Sequence, residues 1–397
     1  MPKNIVICCD GTGNEFGDHN SNVVKLYGTL VVDLKQQVGY YHPGVGTMGA
    51  PNAPNKLAKG WSMLVGLGFG GGLLDNVSDA YRYLMEVYER DDQVFLFGFS
   101  RGAYTVRALA GMLHMYGLLW PGNDGLIPYI LRLYAKKTRK AGGMTHTFEV
   151  ASAFKETYCR PCPIHFEGLW DTVSSVGWIW DPIRLPYTAQ NPDMFNGRHA
   201  VSIDERRCYF RSNLWGPAVQ TSRADQALQN IKQVWFAGVH SDVGGSYAYP
   251  VSGLSQITLE WMLCEAISFG LLIDPGKAAE ALARVPPPPA ARRVAGGDEG
   301  TSDNDVIPPP VAPNPAQPMN VSLKKAWWLL EVLPHSYWDN DEKKKKWRIP
   351  FGAHRKIPQD SVFHETVREK LQVDPTYRPP NLPPSPWPEE PRVSCRF

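Results

Sequence analysis

No run in the 397-residue chain is apolar for long enough to span a bilayer, which takes about 20 residues in a helix. An excess of one charge is equally lacking: 41 basic side chains stand against 39 acidic ones, a net charge of +2 at pH 7. A nucleic-acid-binding domain would show a marked basic surplus, so that class is set aside. Met1-Pro2-Lys3-Asn4 leads into only a short apolar run, too brief for the h-region of a signal peptide. The chain is expected to be soluble and cytoplasmic as made. Its 7 cysteines are an odd number, and Cys8 and Cys9 are adjacent. This predicts free thiols in a reducing compartment rather than a disulfide framework. Cys159 and Cys162 form a single C-x-x-C with no second C-x-x-C or H-x-x-x-H to complete a zinc site. Neither a metal nor a cofactor is expected.

What is present is apolar material for a large core, 43% of the residues, arranged as alternating strands and helices. Strands are predicted over residues 5–9, 38–41, 94–97, 165–169 and 234–239, as short apolar runs ended by glycine, proline or aspartate. Helical periodicity covers 23–34, 77–88 and 103–116, and a polar, helix-compatible stretch begins at Arg223. Such alternation implies an α/β fold: a mainly parallel sheet covered by helices on both faces. Around 286–318 the composition changes to Pro286-Pro287-Pro288-Pro289, glycines and Pro308-Pro309-Pro310, which predicts an extended linker. Beyond it, 323–333 and 362–371 read as helices, and the Pro-rich tail from Tyr377 as an extended surface segment. The expected organisation is a catalytic domain over 1–275, a linker over 286–318 and a helical segment over 319–397 packing back on the domain.

The sharpest chemical signal is Gly98-Phe99-Ser100-Arg101-Gly102. It follows a predicted strand and opens a predicted helix, the context that gives G-x-S-x-G its meaning. Serine in such a turn is exposed to substrate beside the first N–H groups of the new helix. A hydroxyl needs a base. Of the 10 histidines, His240 has the best setting, at the end of a strand and the start of the glycine-rich loop His240-Ser241-Asp242-Val243-Gly244-Gly245. Asp171, after Gly168-Leu169-Trp170, is the candidate acid. Asp242 stands too near His240 in sequence to be preferred. For the oxyanion, the candidate donors are the Arg101 N–H and the backbone at Gly11 and Thr12, where glycines let the chain approach.

Several segments in order, C-D-G-T-G-N from Cys9, Y-H-P-G-V-G-T from Tyr41, G-F-S-R-G-A-Y-T-V-R from Gly98, L-W-D-T-V from Leu169, A-V-S-I-D-E-R from Ala200 and W-F-A-G-V-H-S-D-V-G-G from Trp235, resemble the α/β-hydrolase family that includes the type VI secretion phospholipase effectors. The likeness spans roughly residues 3–275. It implies an α/β-hydrolase-like fold and hydrolysis of glycerophospholipid acyl esters through Ser100, Asp171 and His240. It also implies that any export follows a route without a signal peptide. Two rival functions stay open: an esterase for small soluble esters, and a silent scaffold on the same fold. The expected partner is a lipid or ester substrate, with transient contact at a membrane surface; the oligomeric state is open. His364, near the start of a C-terminal helix, reads as structural. Residues 61–74 read as a buried loop, or as a lid or acyl-chain wall. Lys343 to Lys346 followed by Trp347 read first as a solvated charge run, and second as a contact for anionic lipid heads.

Overall fold

The computed structural model describes residues 2–11, 17, 19–44, 71–135, 143–173, 177–178, 181–182, 185–284, 311–339 and 344–395. Thr12, most of the 61–74 segment and most of the expected linker lie outside them. The centre is a sheet of eight strands: β1 (Asn4–Cys9), β2 (Gln37–His42), β3 (Gln93–Phe99), β4 (Ile164–Trp170), β5 (Met194–Ser202), β6 (Asn230–Phe236), β7 (Val362–His364) and β8 (Glu389–Glu390). Their order across the sheet is β8-β7-β6-β5-β4-β3-β1-β2, and every neighbouring pair is parallel. This is the mainly parallel α/β sheet that the alternation implied.

β1 shows why the strands read as continuous apolar runs. Ile5, Ile7 and Cys9 enter one core and Val6 and Cys8 the other, so both faces must be apolar. Helices α2 (Gly71–Val87), α3 (Arg101–Tyr116), α4 (Ile127–Ala135) and α5 (Gly143–Tyr158) contribute to the first core. Helices α1 (Asn22–Thr29) and α7 (Gly253–Ser268) contribute to the second. The short α6 (His240–Gly244) packs in the same layer, with Val243 in the second core. The Ser21 hydroxyl caps α1, accepting from the Val24 N–H at 3.2 Å. The helix stops at Leu30, short of the expected residue 34, where the backbone turns extended.

The chain runs β1 to β2 on one side, then returns to β3 on the other. The carboxyl ends of β1 and β3 are therefore a topological switch point, where open α/β sheets place their ligands. Ser100 follows β3 directly.

Four further features differ from the sequence reading. β5, a central strand buried along its whole length, has no simple apolar signature because Asn196, Arg198 and His199 interrupt it. Each is accommodated by a polar partner: the Arg198 guanidinium pairs with Glu265, the Asn196 amide donates to the His165 carbonyl at 2.8 Å, and His199 Nε2 accepts from the Thr172 N–H at 3.1 Å. The C-terminal segment, besides α8 (Lys325–Glu331) and α9 (Glu365–Val373), supplies edge strands β7 and β8. Val362–His364 was expected to be helical, but pairs with β6 instead. Cys264 on α7 and Cys395 in the tail are joined as a disulfide, where free thiols were expected; they stand 131 residues apart in sequence. The described end of the expected linker, residues 311–318, is packed: the Asn314 N–H donates to the Gly253 carbonyl at 3.1 Å, and the buried Lys370 ammonium donates to the Gln317 carbonyl at 2.7 Å.

Candidate active site

Ser100 sits in a tight turn between β3 and α3 with φ 58° and ψ −120°. That region is sparsely populated by non-glycine residues, and holding one there costs on the order of 1–3 kcal/mol. The flanking glycines make the turn possible. A Cβ on Gly98 would stand 2.6 Å from the Ala103 backbone, and one on Gly102 would collide with the carbonyl oxygens of Cys9 and Asp10. The end of β1 thus lies against the first turn of α3. The Ser100 N–H is taken by the Trp170 carbonyl at 3.0 Å, so it extends the β3–β4 ladder.

Phe99 pairs with Trp170 in the register of that ladder, which puts Asp171 level with Ser100 on the adjacent strand. Asp171 also has positive φ, 39°, and is fully buried. Its carboxylate accepts from four donors. His240 Nδ1 lies 2.5 Å from Oδ2, the Ser202 N–H donates to Oδ1 at 2.9 Å, and Arg355 donates through Nη1 to Oδ1 at 2.6 Å and through Nη2 to Oδ2 at 3.0 Å. Burial pushes this carboxyl up, but the Arg355 guanidinium and the His240 bond overcome it and hold it well below the usual carboxylate range. An ionised carboxylate can only accept, so Nδ1 carries the imidazole proton and Nε2 is left as the basic nitrogen.

His240 opens α6, and its position is fixed from several sides. Its N–H donates to Glu205 Oε2 at 3.2 Å. Its ring packs on Phe99, the residue before Ser100, with centroids 4.6 Å apart, and edge-on to Phe210 at 4.8 Å. A Cβ on Gly244 would overlap the Phe99 ring, so the His240 loop closes directly over the end of β3. Gly245, with φ 87°, pairs with Ser21 at the start of α1. Burial lowers the His240 pKa from its ordinary 6.5, against the opposing pull of Asp171.

Of the residues singled out from sequence, Asp171 and His240 are in direct contact, and Ser100 lies at the end of the strand adjoining Asp171. The Arg101 N–H starts α3 at the same edge. Gly11 is at this edge too, but its N–H donates to Asp10 Oδ1 at 2.6 Å, so it is engaged in the described conformation. His364 is elsewhere: its ring stacks on Phe236 at 4.7 Å and its Nδ1 lies 2.8 Å from Thr366 Oγ1. Burial lowers its pKa to about 3.

Sequence reasoning missed Arg355, which is 184 residues from Asp171 in the chain and carries no motif. It also missed Asp10, whose buried carboxylate accepts from the Ser21 hydroxyl at 2.6 Å and the Tyr41 hydroxyl at 3.0 Å. Asp10 lies inside the C-D-G-T-G-N segment, so its signal was present but unread. Among the described residues, no group of three or more His, Cys, Asp or Glu side chains is arranged to hold a metal ion.

Residues 3–265 match the catalytic domain of the Tle1-like phospholipase effectors of type VI secretion systems. The chain belongs to this family. Family membership makes a lipid hydrolase the coarse functional class. The chain is also 24% identical over 551 aligned positions to an uncharacterized protein of Saccharomyces cerevisiae, with 96% of this chain and 80% of that protein covered. A crystal structure of an uncharacterized protein from Pseudomonas aeruginosa aligns with a TM-score of 0.40 and 19% identity, over 70% of this chain. This chain spans 47% of that protein's length. The family match ends at residue 265, so Arg355 reaches the site from outside it.

Proposed function

We propose that this Tle1-like protein is a serine hydrolase that cleaves acyl esters of glycerophospholipids, with Ser100 as nucleophile, His240 as general base and Asp171 as the orienting acid. The observation that carries the reading is the 2.5 Å bond between His240 Nδ1 and Asp171 Oδ2, beside a serine strained into the turn after β3. Such a bond fixes the tautomer in which Nε2 can take a proton.

In the proposed cycle the Ser100 hydroxyl attacks the acyl carbonyl carbon as His240 Nε2 takes its proton. The tetrahedral oxyanion is held by the Arg101 N–H at the start of α3 and by the Gly11–Thr12 backbone, the Gly11 donor becoming available when its bond to Asp10 opens. His240 then returns the proton to the leaving alkoxide, which departs as the lysolipid alcohol. Water, deprotonated by the same imidazole, attacks the acyl-serine; the imidazolium then protonates the departing Ser100 oxygen, releasing the fatty acid and restoring the serine.

A fluorophosphonate probe tests the nucleophile without knowledge of the substrate. The wild-type protein should label at a single serine, mapped by peptide mass spectrometry to Ser100. Labelling elsewhere, or none, counts against the triad. The pH profile tests the base. Because burial lowers the pKa of His240, and the base must be neutral to act, the acid limb of kcat/KM should have its midpoint below pH 6.5. A midpoint above 6.5 would mean that another group is titrating.

A further inference from the structure

We infer that α8 and the adjacent hairpin form a docking surface for an anionic lipid bilayer, placed next to the proposed catalytic histidine. The inference deepens the lipid-hydrolase reading by naming how the enzyme would reach its substrate. Of the 20 large apolar side chains that are exposed among the described residues, nine lie between 319 and 351.

The faces of α8 are inverted relative to a helix on a soluble domain, which turns its apolar stripe inward. Glu331 is fully buried: its Oε1 accepts from the Cys208 N–H at 2.7 Å and its Oε2 from the Gly352 N–H at 3.1 Å. Outward stand Trp328, Leu329, Val332 and Leu333, with Leu329 71% exposed. Phe351, 61% exposed, is tied to the end of the helix by its N–H on the Glu331 carbonyl at 3.0 Å. Strands His335–Asp339 and Lys344–Arg348 form an antiparallel hairpin in which the exposed Trp347 pairs with Ser336, just past Leu333. The exposed apolar side chains of the helix, of Phe351 and of the hairpin thus fall within one stretch of chain.

Charge selects the occupant. Apart from the buried Glu331 and Arg355, residues 319–356 hold eight basic and three acidic side chains, so the remainder of this +2 chain is net acidic. Three lysines and an arginine flank Trp347 on one strand. Exposed tryptophan and aliphatic groups in a lysine- and arginine-rich stretch match the boundary between acyl chains and anionic head groups. No helix among the described residues is long and apolar enough to cross a membrane, so the contact is one that lies on the surface. The inner side of the same helix touches the site: Trp327 packs on Phe210 at 5.5 Å, and Phe210 packs on the His240 ring. Seating α8 on a bilayer would therefore bring the site to the lipid.

The test uses full-length Ser100→Ala protein, so that binding is read without hydrolysis. It is floated with vesicles of phosphatidylcholine alone and with phosphatidylglycerol added. Binding is expected to favour the anionic vesicles and to weaken with salt. Leu329→Glu with Leu333→Glu should lower partitioning on the order of tenfold or more, as should Lys344→Glu with Lys346→Glu. In the Ser100 background, turnover of a monomeric short-chain ester should be unchanged by the Leu329→Glu and Leu333→Glu pair. Partitioning unaffected by both pairs, in variants with wild-type circular dichroism, overturns the inference. So does a concentration-dependent dimer that the leucine substitutions dissociate, because the face would then be a contact between copies. If the inference fails while wild-type protein still cleaves dispersed phospholipid, the hydrolase reading stands; if vesicles bind but no ester is cleaved, only that reading falls.

Discussion

Ser100→Ala is expected to abolish nearly all turnover, by several powers of ten, while leaving the protein folded. Without the hydroxyl no acyl-enzyme can form, and only binding and the oxyanion donors remain to assist water. His240→Ala should match it closely, because members of such a group act as a unit. His364→Ala should instead lower the thermal midpoint and leave the rate per folded molecule largely unchanged, since His364 packs on Phe236 away from the site. The backbone of Ser100 supplies a second, independent readout. Its φ of 58° with ψ −120° suits glycine, so Ser100→Gly should also be inactive yet more stable, by about 1 kcal/mol. Such an exchange of stability for activity is characteristic of strained functional positions. Thermal midpoints of the two variants measured side by side would reveal it. A Ser100→Gly protein less stable than Ser100→Ala would show that the turn is not strained.

The second large effect is expected at Arg355. Arg355→Met should lower stability by about 3–5 kcal/mol at neutral pH, because it strands a buried carboxylate, and should slow turnover on the order of a hundredfold by loosening the acid that orients His240. The pH dependence carries the sign. Arg355, together with His240, overcomes burial in lowering the Asp171 pKa. A carboxyl with a depressed folded pKa contributes stability above its unfolded value, near 3.9, and loses it as pH falls through the folded value. In the variant the folded pKa rises, and protonation relieves the stranded charge. The stability deficit should therefore be full at neutral pH and narrow as pH falls through and below about 4. Arg355→Lys should recover little, since an ammonium cannot make the two parallel bonds. Added guanidinium should partly restore turnover to a small-side-chain variant, Arg355→Ala. Wild-type stability and rate in Arg355→Met would remove this residue from the account.

These two positions mark where the sequence was legible and where it was not. Ser100 announced itself because strand, turn and helix are local signals; Gly98 answers a steric demand from Ala103 in the same turn, while Gly102 makes room for the Cys9 and Asp10 carbonyls at the end of β1. The adjacency of Asp171 and His240 was a bet on chain order, and the 2.5 Å bond is its geometric counterpart. Arg355 was invisible because its role depends wholly on how the C-terminal segment folds back, 184 residues later. β5 was missed for a related reason. Asn196, Arg198 and His199 look like surface residues until the tertiary fold supplies their partners. Strands β7 and β8 were hidden by length, at three and two residues. Pairing at the sheet edge, rather than local propensity, makes them strands. The bond between the Gly11 N–H and Asp10 shows that a glycine in a plausible loop need not present its donor to substrate.

The central claim is that Ser100 carries an acyl group taken from a phospholipid, and one measurement addresses it most directly. Purified protein is incubated with a defined phosphatidylglycerol in water enriched in oxygen-18, and the products are analysed by mass spectrometry. The account predicts lysophospholipid and free fatty acid, with one heavy oxygen in the fatty-acid carboxylate because water attacks the acyl-serine carbonyl, and no such products from Ser100→Ala. Release of phosphate or head group in place of fatty acid, or the same products from Ser100→Ala, would contradict it.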